Sequence, residues 1–166
     1  NRSEVEGVRL FQADIADLEA IRPAFEGQDT VVHLAAHLSD EPFESLLTAN
    51  LTGTYNVYEA ARSAGVRRVV FASSGSTIKG YEDVPPYDAM AAGRYDDVPQ
   101  GWPMITHEMV RPRGAYGASK VWGEAVGRHF SDTYGLSVLC VRIGTVLDHN
   151  DPSRIGPSMA WLSHRD

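Results

Sequence analysis

The feature that most constrains the fold of this chain is an alternation of short apolar stretches with longer helical ones. Four stretches rich in β-branched and apolar residues predict strands, at residues 8–14, 30–36, 67–74 and 136–143. Between them the sequence predicts a short helix at 17–27 and long helices at 42–65 and 115–134. Apolar strands joined by helices are typical of a parallel sheet covered on both faces. The chain is therefore predicted to form one α/β domain of three layers.

Composition and charge narrow the classes of function. The 166-residue chain has a formal net charge of −7, which argues against a nucleic-acid surface and against binding to anionic membranes. No apolar run approaches the roughly 18 residues of a membrane span, and the polar first residues do not resemble a secretion signal. A single cysteine, Cys140, excludes an internal disulfide and favours the cytoplasm. The histidines show no metal-ligand spacing, so no metal is expected.

Small, hydroxylic and acidic residues collect where the predicted strands end. These positions are Asp14 and Ile15, Ala35 and Ala36, Ser73 and Ser74, and the segment 142–145. In parallel sheets ligands bind beyond the carboxyl ends of the strands. The loop at 75–113 is long for a compact domain and is predicted to bind a ligand or to act as a lid. Several acidic residues nearby are interpreted as solvated charges: Asp40, Glu41, Glu44, Asp96 and Asp97.

One of only two lysines in the chain follows a tyrosine by four positions, in the segment GAYGASKVWGE. On a helix, Tyr116 and Lys120 lie one turn apart on the same face. A cation that close is expected to favour the phenolate and to lower the tyrosine pKa. A phenol of this kind can exchange a proton near neutral pH, which makes the pair a candidate for general acid–base catalysis.

Six segments, in order and spacing, resemble the extended short-chain dehydrogenase/reductase family, the NAD-dependent epimerase/dehydratase group. They are ADI (13–15), HLAA (33–36), ANLTGTYNVYEAA (49–61), VVFASS (69–74), YGASK (116–120) and VRIG (141–144). Within that family the chain is most similar to uronate dehydrogenases, which oxidise a sugar acid at its anomeric carbon with NAD. The resemblance implies a Rossmann-like fold, NAD as coenzyme with NADP not excluded, a small sugar or sugar-acid substrate, and a homodimer formed through the two long helices.

The resemblance also assigns catalytic roles. Tyr116 would be the general base for the substrate hydroxyl, and Lys120 would hold the phenolate and bind the nicotinamide ribose. Ser74 would orient the reacting oxygen, with Ser73 as the rival for that role. Asn50 would complete a proton relay through a water near Lys120, or would be a solvent-facing helix residue.

A coenzyme site is implied in the same way. Asp14 would accept a hydrogen bond from the adenine amino group, unless it caps the helix predicted to start near Asp17. The other coenzyme residues would be Ile15, Leu34, Ala35 and Ala36 on the adenosine side, and Ile143 and Thr145 beside the nicotinamide. His33 is expected to be a core histidine.

The substrate residues depart from the uronate dehydrogenase pattern. The candidates are Ser39, Ser74, Gly75, Ser76 and Arg154. Those enzymes usually have Asn-His after the catalytic serine, where this chain has Gly75-Ser76. Arg154 lies two residues from the position of their carboxylate-binding arginine.

The phosphate-binding turn G-x-x-G-x-x-G of the family is missing, so the chain is expected to be a fragment, a partial dinucleotide-binding domain over residues 1–166. Stretch 8–14 would be the third strand of the family's sheet order, without its usual neighbour. The predicted function is an NAD(P)-dependent sugar or sugar-acid oxidoreductase with a Ser/Tyr/Lys mechanism. The alternatives are a nucleotide-sugar epimerase or dehydratase, and a non-catalytic or truncated coenzyme-binding module.

Overall fold

The computed structural model describes residues 6–146 and contains a three-stranded parallel sheet. The strands, in sheet order, are β1 (Thr30–His33), β2 (Arg68–Ser74) and β3 (Ser137–Ile143). The α-helices of this part of the chain are α1 (Leu18–Ile21), α2 (Phe43–Leu46), α3 (Gly53–Ser63), α4 (Tyr87–Ala91) and α5 (Gly114–Tyr134). The predicted parallel α/β architecture is confirmed, and the carboxyl ends of all three strands meet at one edge.

The register of the sheet determines which side chains form the core. Phe71 of β2 pairs with His33 on one side and with Cys140 on the other, so the three side chains share one face. Helices α3 and α5 pack on that face. Their fully buried Tyr58 and Phe130 lie with ring centroids 5.6 Å apart, and Tyr58 lies 6.2 Å from Phe71. Each large side chain buried in this way stabilises the fold by roughly 1.5–3 kcal/mol.

Helix α5 approaches the sheet closely because it carries glycine at the contact. A Cβ atom at Gly123 would lie 2.5 Å from Cζ of Phe71, and one at Gly127 would lie 2.8 Å from a methyl of Val138. Neither distance is compatible with a side chain at these positions. The glycines therefore set the depth of α5, and with it the position of the residues at its first turns.

The second face of the sheet has no helical layer within residues 6–146. Val32, Leu139 and Val141 point to that face and are 59%, 53% and 41% exposed. The crossovers β1–α3–β2 and β2–α5–β3 run in the same direction along the sheet. Since such crossovers are right-handed, both helices fall on the same face. The prediction of helices on both faces is thus met on one face only in this part of the chain.

The predicted strand at 8–14 is wrong. The segment pairs with no strand, and Val8 and Leu10 are 55% and 58% exposed. A strand needs a neighbour for its backbone N–H and C=O groups, and the sheet ends at β1. Strand β1 also stops at His33, three residues before the predicted end, where its pairing with β2 ends at Phe71.

The helices at 17–27 and 42–65 are less regular than predicted. Helix α1 passes into a 3₁₀ turn at Arg22–Ala24, and a π-helical turn at Leu47–Thr52 joins α2 to α3. The long loop also contains helical turns, at Gly75–Thr77, Lys79–Asp83, α4 and Tyr95–Asp97. Its two ends are tied together, because Gly80 donates to the Arg111 carbonyl (2.7 Å) and Arg111 donates to that of Thr77 (2.9 Å). No helix of residues 6–146 combines the length and the apolarity needed to cross a bilayer.

Candidate active site

The three predicted catalytic hydroxyl and amino groups come together where β2 meets the start of α5. Ser74 is the last residue of β2, and Tyr116 and Lys120 lie in the first two turns of α5. The Ser74 hydroxyl lies close enough to the Tyr116 phenol to affect its pKa, and it accepts from the backbone N–H of Ser76 (3.1 Å). Nζ of Lys120 lies 5.6 Å from the centroid of the Tyr116 ring. The end of β2 thus places Ser74 next to the first turns of α5, which carry Tyr116 and Lys120.

The two neighbouring serines of β2 point in opposite directions. Ser73 is 3% exposed, and its hydroxyl donates to Oε1 of Glu124 at 2.5 Å. Ser74 lies on the other face of the strand end and lines a cavity described below. Because the Ser73 hydroxyl is engaged in the helix layer, Ser74 is the serine available to a ligand.

Lys120 is a buried cation. It is 3% exposed, its ammonium donates to the Ala72 carbonyl at 2.9 Å, and Nζ lies 4.9 Å from the Phe71 ring centroid. Burial lowers the pKa of Lys120 to about 8. The side chain therefore still carries its charge at pH 7, with two of its three N–H groups not used by Ala72.

The expectation of a lowered tyrosine pKa is wrong. Burial raises the pKa of Tyr116, and the hydrogen bond from Ser74 acts in the opposite direction with a smaller effect. The one-turn spacing on α5 does place Lys120 near Tyr116. Its ammonium, however, is directed to the Ala72 carbonyl rather than to the phenol.

Asn50 is buried in the π-helical turn, so the solvent-facing alternative is wrong. It is 2% exposed, and its side-chain amide makes two hydrogen bonds to the backbone of His37. Oδ1 accepts from the N–H (2.7 Å), and Nδ2 donates to the carbonyl (2.9 Å). Nδ2 also donates to the Ser119 hydroxyl (2.9 Å), which donates to the Tyr116 carbonyl (2.7 Å). Asn50 thereby links the loop after β1 to α5, and its place in a proton relay stays a prediction.

Asp40 is exposed, as expected of a solvated charge, and its carboxylate also makes a contact that the sequence did not predict. Its Oδ1 accepts from the backbone N–H of Tyr116 at 2.7 Å. The residue at the N-cap of α5, Arg113, provides no side-chain cap, so Asp40 takes that role from 76 positions away. A carboxylate at a helix N-terminus also interacts favourably with the helix dipole. Local sequence gives no signal for this contact.

Replacing Asp40 with Ala is expected to destabilise the protein by about 1 kcal/mol, because the first turn of α5 loses its cap. The melting temperature should fall by roughly 2–4 °C. Asp40→Asn keeps an acceptor oxygen and should retain most of the stability. Thermal unfolding followed by circular dichroism measures both variants. Equal losses in Asn and Ala would show that hydrogen bonding to Tyr116 is not the cause.

A shallow hollow of about 740 Å³ lies beside the carboxyl end of β1, where the coenzyme residues were predicted. It is lined by Gln12, Ala13, Asp14, Ile15, Ala35, Ala36, His37 and Ala49. Asp14 accepts from the backbone N–H of Ala16 (2.9 Å), and the cap of α1 is Asp17, so the alternative that Asp14 caps this helix is wrong. Asn56 of α3 fixes this segment by donating to the carbonyls of Ile15 (3.0 Å) and Ala16 (2.8 Å). Leu34 does not line the hollow and is 68% exposed.

His33 is a core histidine, as expected. It is 4% exposed, and its Nε2 lies 3.0 Å from the Thr54 hydroxyl oxygen.

A second cavity, of about 370 Å³, lies between the ends of β2 and β3 and the long loop. It is lined by Ser74, Gly75, Ser76, Ile78, Lys79, Tyr81, Glu82, Tyr87, Met90, Ala91, Tyr95, Ile105, Ile143, Gly144 and Thr145. The predicted substrate residues Gly75 and Ser76 and the predicted nicotinamide residues Ile143 and Thr145 thus share one cavity with Ser74. Ser39 lies outside it, where its hydroxyl accepts from Glu41, and Arg154 falls outside the described residues.

The long loop is held by a group that the sequence analysis missed. Arg142 of β3 pairs with Glu124 of α5 at 2.8 Å, and donates to the carbonyls of His107 (3.0 Å) and Met109 (3.2 Å). Glu124 follows Lys120 by one helical turn, which was the only local hint of its position. The pair therefore fixes the far end of the loop against the same helix that bears Tyr116. In the part of the chain that the structure describes, no group of three or more His, Cys, Asp or Glu side chains is arranged to hold a metal ion.

Comparisons with known proteins agree with this geometry. A model of the "NAD dependent epimerase/dehydratase family" matches residues 1–160. The chain is 35% identical to an NAD-dependent glucose-6-phosphate dehydrogenase of Haloferax volcanii, over 98% of the chain and 61% of that protein. It is 37% identical to a uronate dehydrogenase of Agrobacterium fabrum, over 93% of the chain and 51% of that protein. The crystal structure of uronate dehydrogenase from Agrobacterium tumefaciens superposes with a TM-score of 0.72 at 34% identity, over 98% of this chain and 56% of that one.

The chain spans 51–61% of the length of these relatives. The likeness extends over 93–98% of its own length. A family model that covers residues 1–160 accounts for almost the whole sequence. The chain belongs to the NAD-dependent epimerase/dehydratase family.

Proposed function

We propose that this chain provides the catalytic part of an NAD-dependent oxidoreductase that oxidises the anomeric hydroxyl of a sugar or sugar acid. The observation that supports this most strongly is the meeting of Ser74, on the wall of a cavity of about 370 Å³, with Tyr116 and Lys120 at the start of α5. That volume lies within the range of small-molecule sites. The relatives named as a uronate dehydrogenase and a glucose-6-phosphate dehydrogenase support a sugar substrate.

Each side chain has a distinct role in the proposed reaction. Ser74 donates a hydrogen bond to the reacting oxygen and orients it towards the phenol. Tyr116, as phenolate, accepts the proton of the substrate hydroxyl while a hydride leaves the carbon that bears this hydroxyl. Lys120 stabilises the negative charge on Tyr116 through an N–H group that the Ala72 carbonyl does not use. Asp40 holds the backbone N–H of Tyr116 directly, and Asn50 holds its carbonyl through the Ser119 hydroxyl.

The hollow beside β1 fits the adenosine side of NAD. Ala35 and Ala36 present little side-chain bulk there, and Asp14 offers carboxylate oxygen as an acceptor for an amino group. When bound, NAD would supply the acceptor for the hydride. Ile143 and Thr145, which line the cavity that contains Ser74, would hold the nicotinamide end together with Lys120.

The test is formation of NADH by the full-length protein with galacturonate or glucuronate, followed at 340 nm. We expect absorbance to rise with substrate, and the product to be the lactone. A nucleotide-sugar epimerase would interconvert its sugars without net NADH. An absence of NADH with sugar acids, sugar phosphates and neutral sugars alike would refute the proposed oxidation.

A further inference from the structure

The cavity beside Ser74 is lined by few charged side chains. Its walls are mainly aromatic and apolar, with Tyr81, Tyr87 and Tyr95 from the long loop and Ile143 from β3. Tyr87 is fixed in this wall, because its hydroxyl donates to the Pro103 carbonyl at 2.6 Å. Among the lining residues only two side chains are charged, one a lysine and the other a glutamate.

The glutamate is paired with a cation outside the cavity. Glu82 lies 3.0 Å from the guanidinium of Arg113, which also pairs with Asp83 at 2.6 Å. Arg113 directly precedes α5, so its ion pairs link the long loop to the helix that bears Tyr116. Glu82 is therefore directed to Arg113, and no ion pair joins it to the lysine of the same cavity within residues 6–146.

The lysine has no such partner. Within residues 6–146 no ion pair or hydrogen bond engages the side chain of Lys79, although the chain as a whole is acidic. Its backbone is well anchored at the start of the turn Lys79–Asp83, because the next residue, Gly80, donates to the Arg111 carbonyl at 2.7 Å. A cation without a partner among the described residues, on a fixed backbone and in a mainly apolar cavity, is suited to bind an anion.

We propose that Lys79 binds the anionic group of the substrate, a carboxylate or a phosphate monoester, while the sugar hydroxyl to be oxidised lies at Ser74 and Tyr116. This inference rests on the proposed sugar oxidation and specifies its substrate as an anionic sugar. Lys79 and Ser74 line the same cavity of about 370 Å³, a volume in the range of small-molecule sites. The assignment is independent of Arg154, which was predicted from resemblance alone.

Isothermal titration calorimetry on the full-length protein tests this directly, with galacturonate, glucose 6-phosphate and neutral galactose as probes. The wild type is expected to bind at least one of the two anionic sugars about tenfold or more tightly than galactose, and the preferred one identifies a carboxylate or a phosphate. Lys79→Met should weaken binding of that anion by roughly 10- to 100-fold, the effect of losing a charged hydrogen bond, and leave galactose unchanged. Lys79→Arg should restore most of the affinity.

Arg67→Gln is the matched control. It removes the same charge at the amino end of β2, roughly 23 Å from Ser74 by the rise of an extended strand, and should not alter sugar binding. The inference is overturned if the wild type shows no preference for an anion, or if Lys79→Met keeps that preference. Because calorimetry needs no turnover, a failure of the proposed oxidation would appear separately, as normal anion binding without NADH formation.

Discussion

Replacing Tyr116 with Phe is expected to lower kcat by about 10²- to 10⁴-fold, the usual contribution of a positioned general base. The substitution removes only the hydroxyl. The contacts that hold the residue in place are made by its backbone, with Asp40 at the N–H and Ser119 at the carbonyl. Folding and coenzyme affinity should therefore be unchanged, as measured by circular dichroism and by titration with NADH.

Tyr55→Phe provides the matched control, since Tyr55 lies on α3 and packs against Phe130 rather than at the cavity. It should keep wild-type kcat. Burial raises the pKa of Tyr116, so the wild-type rate is also expected to rise with pH above neutrality as more phenolate forms, until Lys120, with a pKa of about 8, loses the charge that stabilises this phenolate. A Tyr116→Phe protein with a wild-type rate would rule out this residue as the base.

Acidification is expected to destabilise the fold through His33. Burial, together with the nearby charge of Lys120, lowers the pKa of His33 from 6.5 to about 4. Between these values the unfolded chain is protonated at His33 and the folded chain is not, so the free energy of unfolding falls as the pH falls. The full stabilisation is present above pH 6.5, and about 3 kcal/mol of it is lost by pH 4.

The measurement is urea unfolding at pH 7 and at pH 4.5, for the wild type and for His33→Gln. Glutamine can still hydrogen-bond the Thr54 hydroxyl but does not titrate, so the variant should lose about 2 kcal/mol less than the wild type over this range. His129→Gln, an exposed position on α5, should behave like the wild type. Equal losses in the wild type and in His33→Gln would contradict the assignment.

Elements defined by local patterns could be predicted from the sequence. The strands β2 and β3 and the helix α5 lie within one residue of their predicted ends, because each has a clear apolar pattern and a suitable residue at its boundary. Gly135, with φ of 71°, closes α5 in the left-handed conformation that favours glycine. The predicted strand at 8–14 failed for the opposite reason, since an apolar segment becomes a strand only when a neighbour completes its hydrogen bonds.

Features that depend on contacts between distant segments could not be predicted. Asp40 caps α5 from a separate loop, and Glu82 pairs with an arginine 31 positions away. The direction of the Tyr116 pKa shift was also missed. The four-residue spacing predicts that Lys120 lies near the phenol, but it does not predict that the ammonium is directed to the Ala72 carbonyl. The charge balance that singles out Lys79 is visible only once the loop is folded over the ends of the strands.

The most direct test of the proposed function uses sugar acid labelled with deuterium at the anomeric carbon, incubated with NAD and the full-length protein. Hydride transfer from that carbon predicts that the deuterium is recovered in the reduced coenzyme, with loss of the label from the sugar and formation of the lactone. Mass spectrometry of coenzyme and product reads both outcomes. Deuterium that stays on the sugar, with no labelled NADH, would contradict the account.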